Sequence, residues 1–151
     1  MTDLQQLAVP FTGSLLKKAP AGKFGSYVSH STITERLLSI VGPFTFEVTD
    51  LIRGWTDEVV IGRGKPDQRV YPARDAIVGC IARLEVEVDG RTVAISEVGD
   101  VEGAAAQSDG ANAKEASSDA LKRCAMRLGL GLHLWSQGDY FLDRQLAKAE
   151  Q

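Results

Sequence analysis

Three cations set close together suggest where chemistry would be done. In ASSDALKRCAMRLGLGLHLW, residues 116–135, Lys122, Arg123 and Arg127 stand within two helical turns, in a chain of formal net charge −3. Arg123 and Arg127 are four apart and share one helix face, with Lys122 about 100° around the axis. On the other side, Ala113, Ala116, Ala120, Leu121, Cys124, Ala125 and Leu128 recur at three- and four-residue spacing, which reads as a buried stripe. Such a helix docks on an apolar surface and points its cations outward. Outward cations in a row suit consecutive phosphates, because each contact releases counterions. The plainer alternative is a solvated face, with Asp119 pairing to Arg123 across one turn. Lys17, Lys18 and Lys23 would extend a phosphate track. Tyr27 and Trp55 are candidate stacking surfaces, although core packing suits Trp55 better.

Other chemistry finds little support. GRGKPD has a Lys after Gly but lacks the upstream Gly of a phosphate-binding loop, and Gly22-Lys23 has Lys17 where that Gly should stand. LGLGLH follows a helix rather than a strand, so it is not a dinucleotide fingerprint. The expectation is independence from ATP. Glu85 and Glu87, with Glu97 or Asp100, could in principle hold a metal, but they read better as a solvated strand face. Cys80 and Cys124 have no CxxC context, and His30 and His133 have no partners at zinc spacing. No catalytic residue, metal or cofactor is expected, and the two thiols should be buried and reduced.

The elements that must carry these residues follow from composition and pattern. A chain of 151 residues, 44% hydrophobic and 25% charged, fits one soluble domain with a real core, and it opens with no secretory signal or membrane span. Residues 111–151 carry six Lys/Arg against five Asp/Glu and residues 61–110 six against nine, so basic and acidic stretches are separated along the chain. Residues 1–13 suggest an extended or helical arm, Leu15–Lys18 a short amphipathic piece, and 20–26 a loop. Ser31 or Thr32 should cap a helix that Gly42-Pro43 ends. FTFEVTDL (44–51) and 57–62 read as strands, and 62–75, with two Pro and two Gly, as a loop. Residues 76–102 predict a β-hairpin turning at Asp89-Gly90. The small, polar stretch 103–113 predicts a flexible connection, and residues from 139 a C-terminal helix. The sum is an α+β fold in helix–strands–helix order, with packed helices on a mainly antiparallel sheet of three to five strands.

The ordered segments resemble the Rad-fifty-two-type single-strand annealing proteins, particularly the phage and bacterial branch. ASSDALKRCAMRLGLGLHLW is similar to that family's most recognisable stretch, an Asp-Ala/Gly-Leu-Lys-Arg core followed by a basic residue and a glycine-containing segment ending in an aromatic. YVSHSTITERLLSIVGPFTF resembles its Tyr-led helix, and VEVDGRTVAISEVGDVEG its hairpin closing on acidic-Val-Gly. The resemblance covers residues 15–136. It implies an oligomeric ring or arc that holds single-stranded DNA in a basic groove and anneals complementary strands in recombination and repair, without nucleotide hydrolysis. Carried over residue by residue, it assigns DNA contact to Lys122 and Arg123, and further contacts to Arg127, Tyr27 and Lys17; Lys18 beside it is a DNA-binding candidate as an arm cation. Met126 stands where the eukaryotic branch has arginine. The family's second DNA site uses hairpin lysines that EVEVDG and GAAAQSDG lack, so Arg63, Lys65 and Arg69 are the candidates to build one here.

These readings divide the chain into an arm for oligomerisation and the DNA groove (1–26), an annealing core (27–136) and a C-terminal helix or tail (137–151). The expected partners are single-stranded DNA, further copies of the chain, and an exonuclease or single-strand-binding protein, with no membrane. The expected location is cytoplasmic, at the nucleoid or in a phage-infected host. A double-stranded-RNA-binding module offers a similar element order. A purely structural ring is the other alternative, its basic helix paired to a neighbour's acidic hairpin.

Overall fold

The computed structural model describes residues 1–18 and 26–135. In chain order they form α1 (Asp3–Leu7), β1 (Lys17–Lys18), β2 (Ser26–Tyr27), α2 (His30–Val41), β3 (Thr45–Trp55), β4 (Val59–Ile61), β5 (Arg69–Tyr71), β6 (Asp75–Val88), β7 (Arg91–Asp100), α3 (Asp109–Met126) and α4 (Leu132–Trp135), with short 3₁₀ turns at Gly13–Leu15 and Ala104–Ala106. The fold is α+β. An antiparallel sheet of order β3-β6-β7 stands beside two two-stranded pairs, β1-β2 and β4-β5. Among the described residues no helix is long and apolar enough to cross a membrane. The expected C-terminal helix lies outside the described residues.

The hairpin forms as the sequence dictates. Along β6, Leu84, Val86 and Val88 are buried while Glu87 is exposed and Arg83 and Glu85 are half-buried. Asp89 (φ 51°) and Gly90 (φ 77°) supply the paired positive φ angles that a two-residue turn between twisted strands needs.

Several boundaries differ from the sequence expectation, each for a physical reason. The cap of α2 is Ser29, not Ser31 or Thr32. Ser29 has the extended backbone a cap requires (φ −70°, ψ 156°), and its hydroxyl accepts from Thr32 N–H at 3.4 Å. The short piece at Leu15–Lys18 is the end of a 3₁₀ turn running into β1. Strand β3 continues to Trp55 because β6 beside it supplies a ladder that no local pattern reveals. The stretch 62–75 is not all loop. Val59, Val60 and Ile61 pair with Tyr71, Val70 and Arg69, making a second hairpin. Trp55 is not a core residue either, since 76% of its surface is exposed.

The stretch 103–113 is pinned rather than flexible. The guanidinium of Arg74 donates to the carbonyls of Ala104, Ala105 and Gln107, and buried Asn112 donates to Ala104 O at 3.0 Å. Small side chains let these carbonyls crowd one cation. Composition alone suggested mobility; the partner that removes it is far away in sequence.

The residues divide into two compact units: Met1–Thr45, Leu84–Ile95 and Lys122–Gln151 in one, Phe46–Arg83 and Ser96–Leu121 in the other. In the second, Cys80, Ala82, Ala116 and Ala120 form a core on which Phe46 and Val101 pack. The side chains are small because the backbones are close. A Cβ on Gly99 would stand 1.8 Å from Ala116 O, and one on Gly79 would stand 2.7 Å from Gly99 O. This explains the Glu97-Val98-Gly99 run: its glycine is where α3 sits on β7. Burial also raises the pKa of the Cys80 thiol, and both cysteines are buried and outside any disulfide.

In the first unit α1 packs on α2, and Leu7, Phe11, Ile33 and Leu37 are buried. Arg36 holds the N-terminal segment, donating to Val9 O at 2.8 Å with its guanidinium 4.2 Å over the Phe11 ring. Phe11 N–H donates to His133 Nε2 at 3.2 Å, which ties the same segment to α4. Asp3 and Asp89 exchange bonds, each carboxylate accepting the other's backbone N–H (2.6 and 2.8 Å), so the hairpin turn adds to the Thr2 cap of α1.

Candidate nucleic-acid interface

The site is built from the end of α3 outward. Helix α3 begins where Ser108 Oγ accepts Ala111 N–H at 3.1 Å, with Asp109 in the first turn, where the helix dipole favours an anion. Asp109 also accepts from Ile77 N–H and bridges to Arg53 (3.1 Å) and Arg74 (3.6 Å). The Ile77 bond, then the Arg53 guanidinium, hold its carboxyl below the ordinary range. Arg53 is paired again to Asp75 at 3.0 Å. Sequence reasoning missed Arg53 and Arg74 because their partners lie far along the chain, and neither belongs to the cation row.

Along α3 the apolar stripe is buried as its spacing required: Ala116, Ala120, Leu121, Cys124, Ala125 and Leu128, with Ala113 half-buried. Lys122 and Arg123 lie half-buried in the last turns, a placement the helix dipole also favours, and Arg127 is exposed just past the helix.

Each of the two consecutive cations sits against an aromatic ring. Lys122 Nζ is 5.3 Å from the Tyr27 ring centroid, and the Arg123 guanidinium carbon is 4.9 Å from that of Trp135. Both rings are partly exposed, Tyr27 by 39% and Trp135 by 40%. Lys17 stands directly opposite Tyr27 in the β1-β2 pair. Opposed residues share a face of an antiparallel pair, so Lys17, Tyr27 and Lys122 converge. Lys18 is exposed but, as the next residue of its strand, turns to the other face. Thus four of the six DNA-contact candidates, Lys122, Arg123, Tyr27 and Lys17, are placed around the two rings.

The ring contacts matter electrostatically. A cation over an aromatic face is attracted by the ring quadrupole, worth about 0.5–1 kcal/mol at an exposed site. Trp135 was not among the sequence candidates. It lies beyond the Gly129–Gly131 turn, so no helical spacing connects it to Arg123, and the only signal was an aromatic closing the recognisable stretch.

Arg63, Lys65 and Arg69 belong to the second unit. Arg63 and Lys65 lie in the exposed turn of the β4-β5 hairpin, and exposed Arg69 opposes Ile61. The turn is closed by Lys65 N–H to Gly62 O at 2.9 Å and Gly64 N–H to Gln68 Oε1 at 2.9 Å. Lys23 lies outside the described residues. Glu85 and Glu87 are on β6, Glu97 and Asp100 on β7, and among the described residues no three His, Cys, Asp or Glu are grouped to hold a metal ion.

Against known proteins, a family model described as "Rad52/22 family double-strand break repair protein" matches residues 51–151. The match takes in Lys122, Arg123, Arg127 and Trp135, while Lys17, Lys18 and Tyr27 precede it. No curated protein matches the chain significantly.

Proposed function

The chain belongs to the Rad52/22 family of double-strand break repair proteins, and from that premise we propose that it binds single-stranded DNA and anneals complementary strands without nucleotide hydrolysis. The observation that carries this reading is the placement of Lys122 and Arg123 at successive helix positions, each over a partly exposed aromatic ring. Cations so held meet phosphates, which fixes the strand's position without reading its sequence. The base edges stay exposed, and a second strand supplies the check by pairing. Lys17 and Arg127 lengthen the track, and Tyr27 adds an apolar surface beside it.

Few cations on an acidic chain bind DNA weakly, so the protein works as an oligomeric ring or arc in which repeated sites grip one strand. Arg127 and Met126 support a reading in the phage and bacterial branch. Arg63, Lys65 and Arg69 form a second, separate contact for DNA.

The test is binding of fluorescent oligo-dT across a salt series, with light scattering on the same sample. The expected result is a large oligomer whose affinity falls steeply with salt. Replacing Lys122 and Arg123 together by Ala should flatten the log–log slope by about 1.4, since each phosphate neutralised on a single strand contributes ~0.7. A wild-type protein indifferent to oligo-dT at low salt would overturn the reading. So would a double variant that loses its assembly and keeps its DNA affinity, which would make the helix a subunit contact.

A further inference from the structure

We propose that Trp135 is a positioning residue for DNA binding, holding the Arg123 guanidinium in the orientation that meets phosphate; this rests on the single-strand-binding reading above. Two features of the first unit point to it. The Arg123 guanidinium carbon lies 4.9 Å over the Trp135 ring, and 40% of Trp135 is exposed at the same surface. Arginine otherwise loses much rotamer freedom when it engages a ligand, an entropic cost. A ring that restrains the guanidinium beforehand moves part of that cost from binding to folding.

The ring is itself restrained. Trp135 closes α4, and α4 is anchored two residues earlier, where His133 Nε2 accepts Phe11 N–H at 3.2 Å. Phe11 is buried, with Arg36 over its ring. A chain of contacts therefore runs from the N-terminal segment through α4 to Arg123. The parallel pair, Lys122 over Tyr27, obtains its aromatic from β2 instead. Neighbouring cations are thus oriented by two different elements, which fixes them independently.

The experiment is a double-mutant cycle on oligo-dT affinity at fixed low salt, using wild type, Trp135→Leu, Arg123→Ala and both together, with Trp135→Phe as the conservative replacement. Trp135→Leu should weaken binding about threefold to fivefold, the size of an exposed cation–π contact. Trp135→Phe should restore most of it. In the Arg123→Ala background Trp135→Leu should have no further effect, because there is no guanidinium left to hold.

A spectroscopic arm needs no DNA. In a Trp55→Phe background Trp135 is the sole tryptophan, and Arg123→Ala should change its emission. Full loss on Trp135→Leu in the Arg123→Ala background would overturn the proposal and make Trp135 an independent base-stacking surface. Undiminished affinity of Trp135→Leu, or emission indifferent to Arg123→Ala, would overturn it as well. These failures leave the function standing if wild type binds oligo-dT; a wild type that does not bind removes both.

Discussion

At the scale of single residues, the arginines divide by what they touch. Arg123 sits over the Trp135 ring, whereas Arg53 and Arg74 are committed to carboxylates and carbonyls. Arg74→Met should therefore leave oligo-dT affinity unchanged and lower stability by about 1–2 kcal/mol, a partly exposed charged donor's share of the usual range, read by urea unfolding. Asp109 gives a pH dependence. Its folded pKa is depressed, first by the Ile77 N–H and then by Arg53, so its contribution is present above the unfolded value, about 3.9, and lost as pH falls through the folded value. Asp109→Asn should lower the melting temperature at neutral pH and flatten its fall on acidification below about pH 4. A variant with an unchanged acid limb would show that other carboxylates govern it. For Tyr27, Phe should preserve oligo-dT affinity and Ala should weaken it severalfold, because the ring, not the hydroxyl, faces Lys122.

At the scale of elements, the seat of α3 on the sheet is the most demanding contact. Gly99 and Ala116 meet backbone to backbone, so Gly99→Ala should destabilise by at least about 3 kcal/mol, measured as a loss in urea midpoint at constant slope. What was legible in the sequence had a local cause. The β6-β7 turn was written in Asp89-Gly90, and the buried face of α3 in its alanine spacing. Illegible parts had distant causes: β5 forms because β4 pairs with it, Trp55 is left exposed by the extent of β3, and residues 103–113 are ordered by Arg74. The candidate site divides likewise. Lys122 and Arg123 stood out as a pair on one helix, while Trp135 joins them only because the chain turns back at Gly129–Gly131.

At the scale of the whole molecule, the proposed activity depends on number. One subunit offers a few cations within a net charge of −3, so affinity for oligo-dT should climb with oligonucleotide length until a strand spans several subunits, then level off. A length-independent affinity would mean that each subunit binds alone. Order of synthesis bears on the N-terminal segment in another way. Its first helix is capped locally by Thr2, but Asp3 N–H also donates to Asp89, 86 residues downstream. At roughly 5–20 residues per second, a ribosome needs about 4–17 seconds to add the missing partner. During that interval Leu4 and Leu7 travel ahead of the hairpin turn whose Asp89 carboxylate joins the first turn of their helix, so α1 waits on a contact that only later synthesis supplies.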